Sequence, residues 1–169
     1  MEYILYEEKI ILNKEEVMIV KLPKLILLFM IILSWATTPF IGWRNFKRYL
    51  PSTFFISFIL MNFSYIGKKY KWWKFHNNLS EKFTPELPFI LGPFTVGTLW
   101  VMKWFYGKPG KFIAFNTIVD LLFAYPMTKA FAKLKIYELK RIKHFQFFLI
   151  FYVNVFLLYG FQKVFIERD

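Results

Sequence analysis

The chain has 169 residues; 57% are hydrophobic, 23% are aromatic, 20% are charged, and the formal net charge is +12. An apolar share this high beside a nearly ordinary charged share requires the two kinds of residue to occupy separate stretches, and they do. This pattern excludes a soluble globular domain and a disordered segment. The absence of cysteine excludes a disulfide scaffold, thiolate metal sites and redox dithiols. The class that remains is a multi-span membrane protein.

Five apolar stretches approach the ~20 residues that a helix needs to cross a hydrocarbon core about 30 Å thick. They lie, in chain order, at 25–43, 50–66, 88–106, 112–132 and 145–165. The connections between most of them are short, so consecutive helices should be antiparallel neighbours. The sequence therefore predicts an all-α fold, a polytopic transmembrane helical bundle of about five spans that forms a single domain over 25–166.

The segment before the first stretch, 1–24, is predicted to be an amphipathic, interfacial segment. Apolar residues recur seven apart, as at Tyr3, Ile10 and Val17, which would place a stripe on one side of a helix lying on the membrane or against the bundle. A hairpin is the alternative structure for this segment. Translation from Met18 is a second open alternative, in which 1–17 would not belong to the native protein.

The lysine and arginine residues give the orientation of the bundle. Counted by loop, 15 of the 23 fall on the side of the N-terminus and 8 on the opposite side. Positive residues favour the cytoplasmic side of a membrane, so the N-terminus is predicted inside, with basic cytoplasmic loops, and the C-terminus outside. The basic turn at 44–51 leaves a re-entrant second segment open. Ser34-Trp35-Ala36 resembles a signal-peptide cleavage site, which leaves cleavage within the first stretch open.

The composition also indicates a compartment. Lysine outnumbers arginine 19 to 4, alanine is scarce, and phenylalanine, isoleucine, asparagine and tyrosine are abundant. This bias is typical of an AT-rich genome and fits a low-GC Gram-positive bacterium. We therefore expect a multi-pass protein of the bacterial cytoplasmic (cell) membrane.

Two basic loops are predicted to contact lipid headgroups. Both combine cations with aromatic residues or follow a span directly, which suits the aromatic belt and the anionic lipids of a bilayer. Phosphate contact and base stacking on nucleic acid is the weaker alternative, and no nucleic-acid partner is expected. The candidate headgroup contacts are Lys68, Lys69, Lys71, Trp72, Trp73, Lys140, Arg141 and Lys143.

Asp120 is the most informative polar residue, because it lies about 12 Å into the fourth stretch and therefore near the bilayer centre. An acid at that depth costs about 2.5–3.5 kcal/mol and should face protein or water. Asn116 and Thr117 lie on the same helical face, and Lys103 of the third stretch is a candidate ion-pair partner. One interpretation is a site for protons or cations. The other is a protonated or hydrogen-bonded acid that holds the helices together.

Enzyme signatures do not occur in the sequence. It has no GxSxG elbow, no P-loop and no HExxH motif, and His76 and His144 lie far apart. We expect no enzyme and no catalytic residue, cofactor or metal site. The leading hypothesis is a non-enzymatic integral membrane protein, a subunit or scaffold of a membrane assembly with a membrane-protein partner or a second copy of itself. The alternative is a small oligomeric channel or transporter for protons or cations that uses Asp120.

Four short motifs carry a resemblance to a known family, over roughly residues 25–165. The sequence resembles a family of small uncharacterised multi-span integral-membrane proteins found mainly in Gram-positive spore-forming bacteria. The resemblance implies a compact helical protein of the cell membrane and assigns no activity or site residue. The motifs are Trp35 with Thr38-Pro39-Phe40, Arg48-Tyr49-Leu50-Pro51, Tyr70-Lys71-Trp72-Trp73, and Asn116 with Asp120 and Ala124-Tyr125-Pro126.

Overall fold

The structure is a computed structural model that describes residues 25–75, 86–134 and 136–167. Helices account for 83% of these residues and number five, and they fall on the five predicted apolar stretches. The helical prediction is therefore confirmed for the described part. The interfacial segment predicted over 1–24 lies outside the described residues.

Helix α1 occupies 25–36 and is followed by a 3-10 turn, Thr38–Ile41. The predicted stretch ran to residue 43, but the α-helix ends earlier. Pro39 lies inside the turn and cannot donate a backbone hydrogen bond, so the α-helical pattern stops there. Gly42 then reverses the chain with φ 82°, a conformation that glycine adopts without steric cost.

Helix α2, Trp43–Lys69, is one continuous helix of 27 residues. It begins before the predicted stretch at 50–66 because the basic turn at 44–49 is itself helical and Pro51 is accommodated inside the helix. At 1.5 Å per residue the helix is about 40 Å long. The second apolar stretch is thus part of one continuous helix.

Helices α3 and α4 each contain a π-helical turn built around a proline. Pro93 lies in the turn of α3 and Pro126 in that of α4. Because proline lacks an N–H, the neighbouring peptide groups form wider hydrogen-bonded rings. The consecutive segments are Leu87–Phe89, Ile90–Phe94 and Thr95–Phe105 for α3, and Pro109–Leu122, Phe123–Met127 and Thr128–Lys133 for α4.

A two-stranded antiparallel sheet, which the sequence did not predict, joins the segments after α2 and α4. Strand β1, Trp73–Phe75, pairs with strand β2, Tyr137–Leu139. The carbonyl of Trp72 also accepts hydrogen bonds from the N–H groups of Lys140 and Arg141, at 2.8 and 3.1 Å. The two basic loops predicted on one side therefore lie together at one end of the bundle.

Helix α5, His144–Phe161, ends in a π-helical turn, Gln162–Ile166. Together, α5 with this turn and α2 are the two described helices that are long and apolar enough to cross a membrane. Only 22% of the apolar window of α5 and 39% of that of α2 is buried inside the protein. Most of their apolar surface therefore faces outward.

Two hydrophobic clusters hold the helices together. The smaller one joins α1 to the segment around β2 through Leu27, Ile136 and Tyr137. The larger one connects the 3-10 turn with α2, α3, α4 and α5, and consists of Ile41, Tyr49, Ile56, Leu99, Val101, Met102, Phe112, Val155 and Leu158.

A polar cluster fastens the end of α5 to the beginning of α2. Gln162 is fully buried and accepts a hydrogen bond from Ser52 Oγ at 2.6 Å, while its own amide donates to Glu167 at 3.1 Å. Arg48 Nε donates to the same carboxylate oxygen at 2.5 Å. This hydrogen bond from Arg48 is the main reason that the pKa of Glu167 is lowered from its ordinary value.

The indole of Trp73 fastens the sheet to α2. It lies against Gly67, where a Cβ atom would overlap the ring. Its Nε1 donates to Glu86, and its edge meets the ring of Phe147 with the centroids 5.8 Å apart. These contacts hold the ring in place against α2 and α5.

Replacing Gly67 by alanine should therefore destabilise the protein by about 1–3 kcal/mol, the usual cost of overpacking. The measurement is the thermal unfolding midpoint of the purified protein in detergent. Gly110→Ala is the matched control, because a Cβ there meets nothing within 4 Å and alanine stabilises a helix by up to about 1 kcal/mol relative to glycine. A Gly67→Ala midpoint equal to that of the control would contradict the packing of Trp73 on α2.

Candidate functional site: an aromatic cavity

A cavity of about 370 Å³ lies inside the bundle, and residues from all five helices and both strands line it. This volume falls in the range of roughly 300–1,000 Å³ that is usual for small-molecule sites. Ten of its 21 lining residues are aromatic. The aromatic lining residues are Phe63, Trp73, Phe75, Phe89, Phe94, Phe123, Phe131, Tyr137, Phe147 and Phe151.

Most rings of the aromatic wall belong to one of two sets of ring contacts. On the side formed by α4 and α5, Phe147 lies 5.0 Å from Phe151 and 5.8 Å from Phe123 between ring centroids. On the side of the sheet, Phe89 lies 5.4 Å from Phe131 and 6.1 Å from Tyr137. Rings packed at these distances attract one another beyond simple burial, so the wall is a rigid surface.

Four polar side chains interrupt this wall, and each has a buried oxygen without a hydrogen-bond partner in the described residues. They are Ser64 Oγ, Glu86 Oε2, Asp120 Oδ2 and Tyr137 Oη. The described part of the chain has six such atoms in total, so most of them are gathered here. Each costs about 1–3 kcal/mol when left unpaired. Their concentration at one cavity makes this cavity the candidate functional site.

The charge of the cavity is opposite to that of the protein. Its lining contains two carboxylic acids, Glu86 and Asp120, and no lysine, arginine or histidine among the described residues. The whole chain carries a formal charge of +12. Among the described residues, the lining of this cavity therefore contains acids and no bases.

Only part of the polar face predicted for the fourth stretch lines this cavity. Asp120 lines the cavity, and no described residue hydrogen-bonds or ion-pairs with it. Asn116 and Thr117 instead donate to carbonyls one turn earlier in α4, at 2.7 and 2.8 Å. Their side chains satisfy their own helix and do not reach Asp120.

The expected ion pair between Lys103 and Asp120 is not formed. Lys103 Nζ donates to the carbonyl of Phe40 at 2.6 Å and lies 4.8 Å from the ring centre of Trp100. The carbonyl is available because the chain leaves the α-helical pattern in the 3-10 turn. The sequence indicates that Lys103 and Asp120 lie on neighbouring helices, but it does not show in which direction their side chains point.

The candidate headgroup contacts divide into two groups. The six cations are exposed, and the sheet brings them to one end of the bundle. Trp73 differs from the prediction, because its ring turns inward to line the cavity. Trp72 is half-buried and stacks on Tyr70 with the ring centroids 6.2 Å apart. The cations of this group are Lys68, Lys69, Lys71, Lys140, Arg141 and Lys143.

Sequence reasoning missed Glu86 and Tyr137 as site residues. For Glu86 the sequence offers only a weak signal, an acid directly before an apolar stretch. Tyr137 lies in the alternating segment Tyr137–Leu139, which forms β2. Burial raises the pKa of the Tyr137 phenol, so this group stays protonated and can donate a hydrogen bond.

Comparison with known proteins adds no assignment. The sequence matches no protein-family model, no curated protein and no solved structure. Within the described ranges, no group of three or more histidine, aspartate or glutamate side chains is placed to hold a metal ion. The function has to be argued from the cavity and the outer surface.

The unpaired oxygen of Asp120 leads to a stability prediction. Asp120→Leu should stabilise the ligand-free protein by about 1–3 kcal/mol, because it removes an unsatisfied buried polar group from an apolar wall. Thermal unfolding in detergent measures the change. Asn116→Leu, which removes an already hydrogen-bonded amide from the same helix, should not stabilise. A lower midpoint for Asp120→Leu would mean that the carboxyl has a stabilising partner and holds the helices together.

Proposed function

We propose that the chain is a non-enzymatic, multi-pass integral membrane protein of the bacterial cytoplasmic membrane, a subunit or scaffold of a membrane assembly. The observation that carries the membrane assignment is the apolar outer surface of α2 and α5, the two described helices long and apolar enough to cross a membrane. Large apolar side chains there are open to the surroundings, as at Phe58 with 67% exposure and Val153 with 54%. Soluble proteins rarely leave such continuous apolar surface uncovered.

The same outward apolar pattern continues on the shorter helices. In α4, Ile118 is 58% exposed and Leu122 is 53% exposed, and in α1 Phe29 is 62% exposed. Water would destabilise this surface, whereas lipid chains would cover it. These exposures support membrane contact for α1 and α4 as well as for α2 and α5.

The basic end of the bundle supports the proposed orientation. Six exposed cations from the loops after α2 and α4 lie together there. Near-surface cations bind anionic lipids with about 1 kcal/mol each and favour the cytoplasmic side. The end that carries the sheet is accordingly placed inside, in contact with anionic headgroups.

Two glycines on the helices support a partner within the membrane. At Gly97 in α3 and Gly160 in α5, the space where a Cβ would lie is open to 4 Å. Small residues at open positions let another helix approach closely, which is how membrane helices associate. The partner of the proposed assembly is a second membrane protein or another copy of this chain. The family resemblance of the sequence agrees with this setting and adds no activity.

Transport of protons or cations is the second candidate function. The unpartnered carboxyl of Asp120 in the cavity favours it. Against it, Lys103 is bound elsewhere and the cavity wall is almost wholly apolar. A conducting path needs a sequence of polar groups or water, whereas the described wall offers four separated polar side chains.

Proton flux into liposomes distinguishes the two functions. For a scaffold, purified protein in liposomes should give no flux above protein-free vesicles, and Asp120→Asn should change nothing. The protein should also co-purify with a membrane partner or with itself. Glu138→Gln is the matched control, because it makes the same acid-to-amide change outside the cavity lining. Flux that Asp120→Asn abolishes and Glu138→Gln preserves would establish transport and contradict the scaffold.

A further inference from the structure

We propose that the cavity binds a lipophilic organic cation, a molecule with an ammonium-type head on an aromatic or aliphatic body. The inference concerns a ligand site and does not rest on the subunit role. It stands on the aromatic wall, the unpartnered acids and the exclusion of basic residues from the lining. Each of these observations narrows the chemistry of the ligand.

The aromatic wall indicates that the body of the ligand is apolar. It also contributes part of the attraction to a cationic head. Burying an apolar body stabilises binding in proportion to the area removed from water. The faces of aromatic rings also attract a cation within about 6 Å of the ring centre, most strongly where water is excluded. Phe123, Phe147 and Phe151 form such a wall beside α4, the helix that carries Asp120.

The two acids account for the charge of the head. Glu86 Oε1 accepts a hydrogen bond from Trp73 Nε1, which fixes the carboxylate and leaves Oε2 without a partner among the described residues. Glu86 is only 9% exposed. Asp120 Oδ2 is equally unpartnered on the wall formed by α4. A cationic head in the cavity would be attracted to these two lining acids, and an anionic head would be repelled.

The lining also argues against the acyl chain of a lipid as the natural occupant. A hydrocarbon chain would fill the apolar volume but would supply no partner for the unpartnered oxygens of the two acids. A lipid phosphate would need lysine or arginine, and the described lining has neither. Ser64 and Tyr137 add hydroxyl groups that hydrogen-bond a polar substituent beside the head.

Equilibrium dialysis of radiolabelled benzyltrimethylammonium tests the proposal. The full chain is reconstituted in nanodiscs of zwitterionic phosphatidylcholine, so that the lipid contributes no net charge. Neopentylbenzene is the matched probe, because carbon replaces nitrogen in the same shape without the charge. We expect saturable binding of the cation with one molecule per protein, and at least about tenfold weaker binding of the neutral probe.

Two variants connect the binding to the acids. Asp120→Asn and Glu86→Gln keep the volume of each side chain and should each weaken cation binding about tenfold or more, while leaving neopentylbenzene unaffected. Glu138→Gln is the matched control, since it removes an acid next to the lining residue Tyr137 without touching the cavity wall. It should bind the cation like the wild type. Unfolding midpoints of all variants establish that they fold.

Several results would overturn the proposal. Equal affinity for the charged and neutral probes would show an apolar cavity without charge selection. Preference for 3-phenylpropionate over the cation would show an anion site, and no saturable binding of any probe would show no site. The comparison of probes on the wild type decides the matter even where a variant does not fold. The flux assay is independent, so failure of one proposal leaves the other standing.

Discussion

Every peptide group in these helices has to find a hydrogen-bond partner inside the protein wherever water is excluded, and this constraint shapes the whole bundle. Pro126 breaks the pattern in α4, and the π-helical turn Phe123–Met127 restores it with wider rings. The carbonyl of Ala124 is one group left over, and it is bound by the Thr128 hydroxyl at 2.8 Å and by His144 Nδ1 at 2.7 Å. The carbonyl group that is left over at the break in α4 thus forms a contact with α5.

The rule of satisfied polar groups is relaxed most at the cavity. Away from it, Ser57 and Thr95 pair at 3.1 Å, while Thr53 Oγ1 and Asn154 Oδ1 have no partner in the described residues. On its wall, four oxygens have none in the described part of the chain. Each such group costs stability, and a functional role is one reason for a folded protein to retain it. The scaffold and the ligand site are compatible, because one uses the outer faces of the helices and the other their interior.

The sequence predicted the helices better than it predicted the segments between them and the contacts of their side chains. Apolar stretches mark α1 to α5 because burial and lipid contact both select apolar residues over a whole helix. The observed helix ends differ from the predicted ones in two situations. At Pro39 the proline stops the α-helical pattern, and before Pro51 the basic residues are themselves helical. The sheet was missed because its strands lie about sixty residues apart and are too short for periodicity to reveal. The sequence identifies Asp120 because its depth within the fourth apolar stretch distinguishes it from the other acids. The position of Glu86 on the same wall depends on tertiary packing.

The central claim is that five helices cross a membrane with the N-terminus inside, and labelling of the two termini tests it directly. The chain contains no cysteine, so one cysteine added at either end gives a signal without background. In intact cells, a membrane-impermeant maleimide should label the C-terminal cysteine at once and the N-terminal cysteine only after permeabilisation. Labelling of both termini from the same side would contradict an odd number of spans.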